Sequence, residues 1–167
     1  MPGEWPPPDP GLDALIPVDE ATEVPWEGGR LLQRWWFDIF NRTARLPRRS
    51  EFSPASMGRH LKGIGLMDIT PEGRFVVRLA GADIARAHGH PEHGRDFSTM
   101  PGSEPMIERF RWAIRTRRPY MCLDLPLRWA RKEYLVYSVL VMPLSQTGAR
   151  VDMLIAHTHV PDPAEPA

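Results

Sequence analysis

Apolar positions along this chain recur at two periods, and the switches between them mark its elements. From Arg30 to Ala44, Leu32, Trp35, Trp36, Ile39 and Phe40 fall at i, i+3, i+4, i+7 and i+8, one stripe of a helix, with Arg30, Arg34, Asp38 and Arg42 on the polar side. Phe75, Val77 and Leu79 then alternate with Val76 and Arg78, the period of a strand. Gly81 breaks that strand, Ala82 to His88 reads as a short helix, and Gly89 and Gly94 stop it and bend the chain. A stronger helix is expected over Glu104–Arg117, with Ser103 as N-cap and Pro119 as its stop. Met106, Ile107, Phe110, Ala113 and Ile114 form its buried stripe, and Arg109, Arg111, Arg115, Arg117 and Arg118 its basic outer face and end.

Between these stretches, Ser53-Pro54 is an N-cap followed by proline at the first helical position, opening a short helix that Gly63 ends. Ile64–Thr70 reads as a strand turned by Pro71-Glu72-Gly73 into the strand at Arg74, a hairpin. Three more strands are expected over Tyr120–Leu127, Glu133–Leu144 and Arg150–Val160. The middle one is apolar on both alternations and so is covered on both faces. Strand pairs joined by short turns, with helices between them, predict an α+β fold: a five-stranded antiparallel sheet with helices on one face and an N-terminal helix able to cover the other.

Length and charge refine this picture. A chain of 167 residues suits one domain. Residues 1–28 are proline-rich and acidic and are expected to be a partly disordered tail, 29–160 the domain, and 161–167 a disordered end. Formal net charge is zero, yet seven acids lie in residues 1–27 and two in 161–167, leaving twelve acids against all twenty-one bases and a body of about +9. Such a body can draw anions, nucleic acid, an acidic partner or the chain's own acidic tail. The single cysteine, Cys122, rules out an internal disulfide and fits a reducing, cytoplasmic setting; neither a signal peptide nor a membrane span is expected.

The order of elements looks like the PAS fold, in which helices and a five-stranded sheet enclose a small pocket. More closely, the sequence resembles the stand-alone PAS-like proteins of alphaproteobacteria over about residues 30–158. The residues that carry the resemblance are Trp35-Trp36, Arg45-Leu-Pro-Arg-Arg-Ser-Glu-Phe-Ser-Pro54, Arg78-Leu-Ala-Gly81, Gly89 with Gly94-Arg95, and Pro143-Leu144 with Gly148 and Val151-Asp152-Met153. It departs at His90 and His93 and in the acidic tail. The resemblance implies a sensory or protein-interaction role and no assured chemistry. In a PAS arrangement Phe97, Met106 and Phe110 would line the pocket, joined by Ser138 and Ala156 if those small residues face inward, around a small apolar or amphipathic ligand.

The reacting groups are sparse. His88, His90 and His93 lack the cysteine or close carboxylate pair that would complete a tetrahedral set, so no metal is expected, and no cofactor is identified. His157 and His159 share one strand face and read as half-buried packing. Cys122 lies on an expected strand, unlike the helical reactive cysteine of flavin-binding light sensors. No catalytic triad, P-loop or kinase motif is present, so an enzyme is not expected. The basic helix end has neither a helix-turn-helix nor aromatic platforms, which speaks against nucleic acid. Trp35, Trp36, Ile39 and Phe40 pack on the domain's own core or form a homodimer interface, and the dimer is the expectation carried forward. Two readings remain open: a sensor with a ligand and a protein partner, or an interaction module with a filled core.

Overall fold

The tryptophan stripe becomes α1 (Glu27–Thr43), which Ala44 ends in the left-handed conformation. The computed structural model describes residues 9–88, 93–126 and 136–161. The connector after α1 folds back against it. Arg45 forks onto the Glu51 carboxylate at 2.6 and 3.0 Å, and Glu51 also accepts the Arg48 amide at 2.9 Å. The Arg45 guanidinium, outweighing partial burial, holds the Glu51 carboxyl down at about 2. Trp35 then seals the fold-back, donating to the Glu51 carbonyl at 3.1 Å and meeting the Phe52 ring edge-on at 5.4 Å. Arg45–Pro54 is therefore a brace for the first helix. The helix expected after Pro54 forms as 3-10 turns over Pro54–Gly63, kinked at Gly58, and Ser53 caps it without a side-chain bond.

The hairpin forms as β2 (Ile64–Ile69) and β3 (Phe75–Ala80), followed by α2 (Ala82–His88) and α3 (Glu104–Thr116). Ser103 stands at the N-cap of α3 but makes no side-chain capping bond. The last three strands are β4 (Tyr120–Pro126), β5 (Val136–Leu144) and β6 (Met153–His159). One strand was not foreseen. Ile16–Pro17, taken here as β1, pairs antiparallel with β4 and makes the sheet six-stranded, in the order β1-β4-β5-β6-β2-β3. Its two residues lie among prolines, where no alternation can build up. The segment from 9 to 26 is laid over the body: Gly11–Ala14 forms a 3-10 turn, and Val18, Val24 and Trp26 are buried.

Register sorts the sheet into two faces. Ile64, His157 and Leu140 stand side by side on one, Gly65, Ala156 and Val141 on the other. α1 covers the first face, and the Trp36 indole donates to the Pro143 carbonyl at 2.9 Å. α2 and α3 lie on the second face, so the helices are divided between both faces. Both alternations of β5 are apolar because each meets a helix.

Candidate functional site

Strand ends and short turns aim side chains into a space between the second face and the helices. After β3 the chain returns through a turn tied to that strand: Val77 donates its amide to the Arg95 carbonyl at 2.8 Å, and Phe75 donates to the Ser98 hydroxyl at 3.2 Å. The Asp96 carboxylate caps this turn by accepting the Ser98 amide at 2.8 Å, and Phe97 is carried inward. α3 brings Met106 and Phe110, the latter tilted against Phe75 with ring centroids 5.3 Å apart. Val139, Val141 and Ala156 floor the space, and Ile84 of α2 closes one side. The cavity measures about 100 Å³. Drug-sized ligands usually occupy ~300 Å³ or more, whereas a dry engineered cavity of ~150 Å³ takes benzene, so this one suits a small molecule.

One end of the cavity is polar. Arg109 lines it from α3 although only 1% of the residue is exposed. Its guanidinium is held by Asp9 in a bidentate pair, 2.6 and 3.0 Å, and donates to the Gly11 carbonyl at 3.1 Å. Burial alone would lower the guanidinium's pKa; the Asp9 bond reverses that and fixes the positive charge. Tyr120 and Tyr137 also line the cavity. Burial raises both phenols well above their ordinary value, with the Arg109 charge opposing, so each stays protonated and can donate. Burial likewise pushes the neighbouring Cys122 thiol up to about 12, which leaves it un-ionised and inert at neutral pH.

Four of the expected pocket residues, Phe97, Met106, Phe110 and Ala156, meet at this cavity. Ser138 does not. It pairs with His159 on the opposite face, and its hydroxyl accepts the Asp124 amide at 3.0 Å, where β4 bulges between Cys122 and Leu125. Its small size supports a kinked backbone. On α1, Trp36 is buried against the protein's own sheet, Ile39 is buried, Trp35 is spent on the connector, and Phe40 is 38% exposed. Among the loop histidines, His93 Nδ1 lies 2.6 Å from the Arg78 carbonyl, and His90 falls outside the described residues. Among the described residues, no three His, Cys, Asp or Glu side chains gather as a metal site. No described helix is long and apolar enough to cross a membrane.

Arg109 itself was missed, having been assigned to the basic outer face. A signal for it existed: Met106, Arg109, Phe110 and Ala113 stand at i, i+3, i+4 and i+7, which places the arginine on the apolar stripe. Its partner, Asp9, carried no local signal at all.

The other face has a polar core of a different kind. The Trp26 indole donates to His157 Nδ1 at 2.9 Å, and His157 Nε2 donates to the His60 carbonyl at 2.9 Å, which fixes one neutral tautomer. Burial pulls this imidazole down to about 4. Glycines at 28 and 63 let the backbone approach it: a Cβ at Gly28 would collide with the ring, and one at Gly63 would stand 2.7 Å from Nε2. No ligand can reach this group.

The comparison with protein families agrees with the architecture. The family model for the PAS domain matches residues 27–156. Among solved structures, an RNA-binding light-oxygen-voltage receptor is similar at 16% identity with a TM-score of 0.44, covering 87% of this chain and 37% of that one. This chain thus spans little more than a third of that receptor. No curated protein matches.

Proposed function

This chain belongs to the PAS domain family, and from that premise we propose that it is a non-catalytic sensory module that takes a small amphipathic molecule into the cavity between its sheet and α2/α3. The observation that carries the reading is a mostly apolar space ending in a buried, charged arginine and two protonated phenols. Apolar walls supply affinity and a few fixed polar groups supply orientation, the usual division in ligand sites. A filled-core interaction module would have no reason to leave this space. The same groups support the non-catalytic reading: the guanidinium stays charged, the phenols stay protonated, and neither is a general base at neutral pH.

Output would pass to a protein partner or a second copy through the exposed remainder of α1, Phe40 and the outward part of Trp35, because Trp36 is engaged with the sheet and Ile39 is buried. The test of the ligand site is native mass spectrometry on the whole chain beside an Ala156→Phe variant, whose ring fills the cavity. A mass increment carried by the parent protein and lost from the variant is the expected result. A parent that carries no small molecule, and whose melting temperature no small amphipathic compound raises, would leave the interaction module as the better reading.

A further inference from the structure

Resting on the reading of the cavity as a ligand site, we infer that its ligand is a short-chain carboxylate that takes the place of Asp9 on Arg109 and frees the N-terminal segment from the sheet. A guanidinium presents its donors as a planar fork that matches a carboxylate bidentately, and here that geometry already exists. The carboxylate now in it belongs to a segment that lies ahead of the family match at 27–156. From Asp19 onward that segment is anchored to the body, by Gln33 on the Asp19 and Thr22 carbonyls and by Trp26 on His157. The part that would move is residues 9–18, which besides the Arg109 contacts has the Gly11–Ala14 turn, two strand residues opposite Met121 and Tyr120, and the buried Val18 with its amide on the Pro119 carbonyl at 3.0 Å. Tyr120 thus serves both parts: its backbone pairs with Pro17 and its side chain lines the cavity.

Charge decides between addition and exchange. One buried cation balances one carboxylate, and a second anion beside Asp9 would be buried without compensation. An acidic ligand therefore has to displace Asp9, whereas a neutral one would leave it seated. Tyr120 and Tyr137, both protonated, can donate to the incoming head. A cavity of about 100 Å³, set beside the ~150 Å³ that takes benzene, favours a short apolar part of about four carbons.

The probes are butanoate and its neutral isostere butanamide, titrated by NMR into the full-length protein and into an Asp9→Asn variant that keeps an acceptor for Arg109. Removing the tethered competitor should tighten butanoate at least ~10-fold and leave butanamide unchanged. In the parent protein butanoate, but not butanamide, should shift the amides of Ile16 and Val18 as the segment leaves. Butanoate binding equally to both proteins, or binding without moving those amides, would overturn the exchange while the cavity still takes ligands. If neither probe perturbs the Val139 and Ala156 amides in either protein, the ligand site itself is wrong and this inference falls with it.

Discussion

Among the described residues, each face of the sheet buries one basic side chain, and the two are accommodated by opposite means. Beneath α1, His157 is kept neutral: both ring nitrogens have partners from the folded body, and glycines at 28 and 63 let the backbone close around the ring. Beneath α3, Arg109 is kept charged by a carboxylate one hundred residues away in sequence. The first solution is built within the family-matched span and at its two margins, Trp26 one residue ahead of it and His157 one residue past its end. The second depends on Asp9, well ahead of the matched residues. The closed face has no cavity at its buried group, and the other face, in the reading proposed above, holds a counter-charge that a ligand can replace.

That contrast can be broken at several points. The largest effect should come from Trp36→Ala, which empties the closed face and removes the bond to Pro143; a loss of about 3–5 kcal/mol in urea unfolding is expected. A loss below ~1 kcal/mol would mean that α1 is not anchored there. Acid should act next. His157 titrates at about 4 in the fold against 6.5 in the unfolded chain, so the unfolded state binds its proton first and stability falls as pH drops through that window. The loss reaches about 3 kcal/mol near pH 4, and a His157→Gln variant should show a flatter pH profile between those limits. A parallel slope in parent and variant would assign the acid sensitivity elsewhere.

A matched pair of enlargements sharpens the comparison with smaller effects. Gly28→Ala forces a methyl against the His157 ring and should cost about 1–3 kcal/mol. Ala156→Phe, on the same strand as His157 but on the other face, adds far more volume into existing space and should cost less than ~1 kcal/mol. Equal costs would erase the distinction between the faces.

Much of this was legible in the sequence, and the reason lies in periodicity. The stripe on α1, the β2–β3 hairpin, α2 and the stripe on α3 each span enough residues for a repeat to declare itself, and each formed within a few residues of its expected place. Phe97, Met106, Phe110 and Ala156 followed from that frame. What escaped was decided by long-range contact. Ser138 could not be assigned to a face while both alternations of β5 were apolar, and the β4 bulge that claims it is set by a positive φ at Asp124. β1 is two residues long, too short for any pattern. Arg109 was read by its charge rather than its position, and only the pairing with Asp9 makes its position tolerable.

The brevity of β1 has a practical consequence. Without it β4 would be an outer strand with bare amides and carbonyls, the template on which sheets of separate molecules join. Ile16 and Pro17 cover the start of that rim, at Met121 and Tyr120, and Pro17, having no N–H, offers little for another chain to extend. A protein cut back to residue 27, where the family match begins, would lose this cover together with the counter-charge of Arg109 and the tryptophan at 26. Such a fragment should clump through its exposed sheet margin, so the stretch that recognition by sequence would trim away is the part that keeps the molecules apart.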